Sequence, residues 1–193
     1  MAERPATVVL ASGSPRRREI LATLGIAFEV VPADIDETVL PGEAALDYVL
    51  RLARSKASAV AAGDGRRLVI AADTTVAIDG EILGKPADLG EARSMARRLS
   101  GRTHQVHTGV AVACGDALIV DATTTDVTFS PLTDDLIEWY VAQPEPYDKA
   151  GGYAIQGAGA AFVERVDGNV ANVIGLPVPM LLRLAAAVGR PLI

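Results

Sequence analysis

Five apolar residues in succession, Leu68-Val69-Ile70-Ala71-Ala72, run into Asp73, and residues 75–78 continue as extended chain up to an Asp79-Gly80 pair. A short unbroken apolar run suits a strand buried on both faces, and Asp-Gly is the strongest short-range hairpin signal. The chain therefore needs a sheet that is covered by helices and yet turns back on itself. Residues 7–11 read as another strand. Ser14 as N-cap, Pro15 at the first helical position and Gly25 past the end punctuate a helix to about Leu24. Residues 26–31 read as a second strand, and residues 32–41 as an acidic loop. From 42 to 62, Ala45, Tyr48, Val49, Leu52, Ala53, Lys56, Ala57 and Val60 share one helical face, on which Lys56 is the anomaly. Asp88 with Glu91 opens a helix to about Leu99. Residues 104–114 and 117–129, joined by Gly115-Asp116, form a long hairpin. A helix follows from Thr133 to about Val141, then a turn-rich stretch over 143–152. Strands are expected at 153–155, 160–166 and 170–174, and a last helix at 178–188. Hairpins interrupt any regular strand–helix alternation, so the expectation is α/β with a mixed, partly antiparallel sheet rather than a doubly wound one.

Composition narrows the function. With 193 residues, 50% of them hydrophobic, the chain is globular and builds one or two lobes. Lys and Arg number 18 against 24 Asp and Glu, a net charge of −6. That charge speaks against general nucleic-acid or anionic-membrane binding, both of which need a positive field, but not against a small anion held by local cations. No apolar run approaches the ~18 residues of a membrane span, and MAERPATVVLASGS lacks the core of a signal peptide. With Cys114 as its one cysteine the chain forms no internal disulfide, and the expected location is cytoplasmic. Among the basic residues only Lys56, Lys85 and Lys149 are lysines. In an Arg-rich chain a retained Lys suggests that a compact ammonium is wanted there.

Chemistry concentrates in a few places. In Ser12-Gly13-Ser14-Pro15-Arg16-Arg17-Arg18 a strand gives way to a helix N-terminus whose free amides favour an anion. Arg side chains oppose the helix dipole there, a cost that an anionic ligand offsets. The alternative is a capped helix with solvated Arg residues or Arg–Glu19 pairs. Asp73, where the apolar run ends, suits a general base or metal ligand, or else a turn aspartate. Asp34, Asp36 and Glu37 can supply a second carboxylate, or form a merely solvated acidic loop. Gly80 to Lys85 falls one residue short of a P-loop, and Pro86 replaces its hydroxyl residue, which leaves Lys85 as a phosphate contact only. Lys56 either snorkels from its helix face or points an ammonium into a cleft. His104 and His107 sit on opposite faces of a strand and make a poor metal pair. Gly157-Ala158-Gly159 lacks the third glycine of a dinucleotide site.

In order along the chain, LASGSPRRREIL (10–21), DIDET (34–38), RLARSKA (51–57), AADTTVAIDGEILGKP (71–86), SGRTHQVHTGVAV (100–112), DKAGGYAIQG (148–157) and NVIGLP (172–177) resemble the Maf family of nucleoside triphosphate pyrophosphatases. KAGGYAIQG is similar to the branch acting on dTTP and UTP rather than on 7-methyl-GTP. The resemblance implies one domain over residues 1–193 with a twisted, mixed central sheet flanked by helices. It implies a fold like inosine triphosphate pyrophosphatases, with a cleft between two lobes, and a homodimer. It implies hydrolysis of a pyrimidine nucleoside triphosphate to monophosphate and pyrophosphate with a divalent metal such as magnesium, manganese or cobalt. Asp73 matches the proton acceptor and Glu37 its acidic partner at the metal. Ser12, Arg16, Arg17, Lys56 and Lys85 match residues lining the triphosphate site, which Ser14 adjoins. Arg16, Thr74 and Gln156 match positions that govern substrate choice. The rival readings are 7-methyl-GTP hydrolysis and a non-catalytic nucleotide-binding regulator of septum formation.

Overall fold

The structure, a computed structural model, describes residues 8–62 and 67–193; Thr7, expected to open the first strand, lies outside them. Among the described residues seven strands form one sheet: β1 (Val8–Leu10), β2 (Phe28–Val30), β3 (Leu68–Ile78), β4 (Glu81–Leu83), β5 (Thr103–Cys114), β6 (Ala117–Phe129) and β7 (Val163–Asp167). Their order is β2-β1-β3-β5-β6-β7, with β4 also on β3. β1 pairs in parallel with β2 and β3, and every other pairing is antiparallel, as the hairpin signals require. The flanking helices are α1 (Pro15–Thr23), α2 (Ala45–Ala61), α3 (Leu89–Leu99), α4 (Asp134–Val141), α5 (Val170–Ile174) and α6 (Val178–Ala187).

Two short strands share one edge of β3. β1 pairs with Leu68–Ile70 and β4 with Val76–Ile78, while β5 runs along the whole opposite edge. Between β1 and β4 that edge is open, and Asp73 and Thr74 lie at the gap. The 2.0 period of the strand then sends its side chains to different surroundings. Ile70 and Ala72 join a core with Leu10, Leu21, Leu181 and Leu184. Val76 and Ile78, on the same face, join a second core with Met95, Leu99, Phe129, Tyr140 and Phe162. Thr74 is the polar position between them. On the other face Val69 and Ala71 pack with Ala53 and Ala57 of α2, and Asp73 follows them.

Several local expectations change. Asp73 does not end a strand; it sits within the continuous eleven-residue β3, opposite Gly109 of β5. Its side chain breaks the apolar pattern because it meets the Lys56 ammonium of α2 at 2.6 Å. Ser14 has the extended backbone of an N-cap, but its side chain caps nothing; its N–H donates to Ser12 Oγ at 3.2 Å. Residues 153–155 form no strand, since Gly151 and Gly152 at φ 69° and a Gly157 N–H to Ala154 carbonyl bond of 3.2 Å keep the segment in turns. The strand expected over 160–166 is the shorter β7, preceded by a 3-10 turn over Ala158–Phe162. Residues 170–174 are helical: the Asn169 side chain accepts from Asn172 N at 3.0 Å, and left-handed Gly175 closes the helix. Those end signals outweigh the β-branched content of the run.

Candidate active site

The gap in the β3 edge opens into a cleft of about 610 Å³. Ser12, Ser14, Arg16, Arg17, Glu37, Lys56, Asp73, Thr74, Lys85 and Gln156 all line it. Five cations face three carboxylates there, in a chain of net charge −6.

At its centre is Lys56. The apolar face of α2 carries the ammonium inward, and the side chain is 9% exposed. Its Nζ lies 2.6 Å from Asp73 Oδ1 and 2.7 Å from Glu37 Oε1, so it is directed into the cleft and does not snorkel outward. Burial pushes the Asp73 carboxyl above the usual aspartate value, while Lys56 and Arg17 pull it back down. Asp73 is thus a more basic carboxylate than a solvated one, kept anionic by two cations. Glu37 reaches the ammonium from an irregular loop that is clipped to α2. Tyr48 Oη donates to the Glu37 carbonyl at 3.0 Å, and Arg51 donates to the Thr38 carbonyl at 3.0 Å. Arg51 also holds Glu43 in a two-pronged pair at 2.6 and 2.7 Å, which draws the Glu43 carboxyl down to about 2.

α2 can come this close because of Gly109. A Cβ there would stand 2.3 Å from the Val49 carbonyl oxygen in α2. The residue directly opposite Asp73 is therefore one that admits the helix backbone and brings Lys56 within reach.

The second face of β3 carries a different set of groups. Arg17, buried, donates from Nε to the Gly175 carbonyl at 2.8 Å, from one terminal nitrogen to Ser12 Oγ at 2.9 Å and from the other to Thr74 Oγ1 at 3.0 Å. Three of its five N–H groups are thus committed to the protein, so Arg17 braces the cleft wall more than it offers charge. Arg16, half-buried on the next position, forms no ion pair with a described residue. The Arg–Glu19 pairs considered above are absent among the described residues. Lys85, just beyond β4, and Gln156 are exposed on the cleft wall.

Lys149 and Asp148 also line the cleft and were not singled out as site residues. Lys149 Nζ donates to the Glu145 carbonyl at 2.9 Å and pairs with Asp148. All three lysines of the chain therefore face one cavity, and the lysine count was the available signal for the third. Tyr48 lines the cleft as well, where the sequence showed it only as one residue of an apolar helix face.

Asp73 and Glu37 meet around one ammonium, and the other oxygen of each carboxylate accepts no hydrogen bond from a described residue. Hard oxygen donors in that number suit magnesium, manganese or cobalt, which commonly take one or two carboxylates and complete their shell with phosphate oxygens and water. Among the described residues no three His, Cys, Asp or Glu side chains gather into a self-sufficient metal cage. No described helix is long and apolar enough to cross a membrane.

A family model described as Maf-like protein matches residues 7–188. A dTTP/UTP pyrophosphatase of Anaeromyxobacter dehalogenans is 56% identical over 189 residues, covering 96% of this chain and 95% of the relative. One from Chromobacterium violaceum is 50% identical and covers 98% of both chains. Among solved structures, the Staphylococcus aureus Ham1 protein superposes with a TM-score of 0.52 over 95% of this chain and 98% of its own, at 16% identity. That likeness concerns the fold alone, a mixed sheet flanked by helices as expected.

Proposed function

The chain belongs to the Maf-like protein family, and from that premise we propose that it hydrolyses dTTP and UTP to the nucleoside monophosphate and pyrophosphate. The observation that carries the reading is the buried Lys56 ammonium held between Asp73 and Glu37 at 2.6 and 2.7 Å in a cation-lined cleft. A binding module needs the cations but gains nothing from a carboxylate with raised proton affinity beside phosphate. A hydrolase does, because such a group, held in an ion pair with Lys56, is a better acceptor of a proton from water.

In this reading Asp73 accepts the proton of the attacking water as the α–β bond breaks, and pyrophosphate leaves. Arg16, Lys85 and the two free N–H groups of Arg17 meet the charge that grows on the leaving group. Ser12 and Ser14 line the turn before α1, where free main-chain amides supply further donors. Lys56 keeps Asp73 anionic and fixes its orientation. Asp73 and Glu37 are the residues that would hold magnesium, manganese or cobalt, and such an ion supplies further neutralisation of phosphate charge. Gln156 and Thr74, which also line the cleft, are the base-reading candidates; an amide that both donates and accepts matches the imide edge of thymine or uracil. We further propose, on the family resemblance, one substrate-binding unit with two lobes, working as a cytoplasmic homodimer.

The test is pyrophosphate release from dTTP, UTP, CTP, GTP and 7-methyl-GTP, with and without magnesium, manganese or cobalt. Metal-dependent release that is fastest with dTTP or UTP is expected. Asp73→Asn should keep its circular dichroism spectrum and lose about 100- to 10,000-fold in turnover. Near-normal turnover in that variant, or 7-methyl-GTP as the best substrate, overturns the assignment.

A further inference from the structure

Residues 148–150 and 153–156 form one wall of the cleft, and the part that carries Gln156 belongs to no strand or helix. Between Gly152 and Ala158 the chain makes a turn, closed by Gly157 N–H on the Ala154 carbonyl at 3.2 Å, with Gln156 exposed in it. A side chain on such a turn holds its place only where other groups brace the turn. On one side the brace is Tyr153, buried, whose hydroxyl meets His104 Nε2 at 2.8 Å. On the other side it is Glu145, in the 3-10 turn Glu145–Asp148 that follows α4. Its Oε2 accepts from Ala158 N–H at 2.9 Å. Its Oε1 accepts from Gly159 N–H at 2.9 Å and from the Tyr140 hydroxyl at 2.9 Å. Those two amides open the 3-10 turn over Ala158–Phe162, which has no acceptor of its own for them, so the carboxylate serves as its cap. Gly157 lets the carboxylate come this close, because a Cβ there would collide with Oε2. The backbone at 157, with φ −120°, is open to any residue, so space and not conformation demands the glycine. The Glu145 carbonyl also accepts from Lys149 Nζ at 2.9 Å, which ties the lysine of this wall to the same point.

We propose that Glu145, which does not itself line the cleft, is a positioning residue whose carboxylate fixes the turn that presents Gln156 to the nucleotide. The assignment rests on nucleoside triphosphate hydrolysis with Gln156 at the substrate, and adds what holds Gln156 in place. Both oxygens are needed, since each accepts a main-chain N–H. An amide at 145 keeps the size but sets its own N–H groups against one of those donors.

The experiment measures kcat/KM for dTTP in the wild type, Glu145→Gln, Gln156→Ala, the double variant and Tyr140→Phe, with the circular dichroism spectrum and melting temperature of each. E145Q should lose at least about tenfold. Q156A should lose activity too, and E145Q added to it should cost less than about threefold more, because the group it positions is already gone. Y140F removes a donor from Glu145 but leaves both main-chain amides on the carboxylate. It should melt lower and still keep kcat/KM within about threefold of the wild type. A merely structural role would make Y140F and E145Q fail alike. Losses that multiply in the double variant, an unimpaired E145Q, a Q156A as active as the wild type, or a Y140F as impaired as E145Q each overturn the proposal. Should E145Q not fold, Gly157→Ala, whose Cβ drives the carboxylate off, goes through the same cycle with the same expected and overturning results. Wild-type protein that releases no pyrophosphate from dTTP or UTP refutes the activity and this proposal with it, whereas multiplying losses refute the proposal alone.

Discussion

Lys56 shows how one residue can be both a packing anomaly and the organiser of a site. Its stem lies among Val49, Leu52, Ala53 and Ala57, and its ammonium joins two carboxylates from a loop and a strand. Lys56→Met would keep the packing and remove the charge. Asp73 would then feel burial with only Arg17 opposing it, so its proton affinity rises and the acid limb of the kcat profile moves to higher pH. Breaking a buried pair from one side also costs about 3–5 kcal/mol, a cost that shrinks as the pH falls and Asp73 takes up a proton. Rate profiles and urea unfolding at pH 5 and 7 measure both effects. An unmoved acid limb contradicts the role given to Lys56. The sequence marked this residue because it violates a helical apolar face. It misplaced Asp73 in its strand for a related reason: a polar residue after five apolar ones reads as an ending unless the open edge beside it is known.

At the scale of elements, the site depends on how closely α2 lies on β5. Gly109→Ala places a methyl 2.3 Å from a backbone oxygen that cannot rotate away, so α2 has to shift. Overpacking of this kind costs about 1–3 kcal/mol, and the shift carries Lys56 away from Asp73. The variant should melt lower and turn over dTTP more slowly even where it is fully folded; loss of stability with normal kcat would show that the helix position does not matter. Elements with strong periodicity were legible, among them α2, α3 and the β5–β6 hairpin. Those set by a few capping bonds were not. α5 reads as a strand because Val170, Val173 and Ile174 dominate a five-residue window, whereas its fate is decided by the Asn169 side chain and by Gly175. Residues 153–155 fail as a strand because the chain is anchored from outside: a Cβ on Gly151 would stand 2.8 Å from the Val76 side chain of β3.

For the molecule as a whole, the aromatic core under β4 and β5 holds a buried base. His104 Nε2 lies 2.8 Å from the Tyr153 hydroxyl, its ring is edge-on to Phe129 and Tyr153, and Nδ1 has no partner among the described residues. Burial pushes its pKa down to about 4. The unfolded chain binds that proton near pH 6.5 and the folded chain refuses it until about 4. Its contribution is therefore intact above about pH 6.5 and is lost progressively as the pH falls through that window, by about 3 kcal/mol in all. His107 is shifted in the same direction, so the wild type and a His104→Phe variant share its part of the slope. Urea unfolding between pH 7 and 4.5 should show a flatter dependence in H104F; equal slopes would mean that His104 titrates normally.

The open stretch of the β3 edge has one more consequence. Ile70 bonds through its peptide to the β1 side, with Ala11 N–H on its carbonyl at 2.8 Å. Alternate residues of a strand present their peptides to the same edge, so Ala72 and Thr74 turn theirs toward the missing neighbour. Part of the edge beside this cleft is therefore main chain, whose carbonyl every residue supplies and whose N–H every residue but proline supplies. Side chains around it can be exchanged while that main-chain edge survives any point mutation, proline apart, that leaves the strand straight.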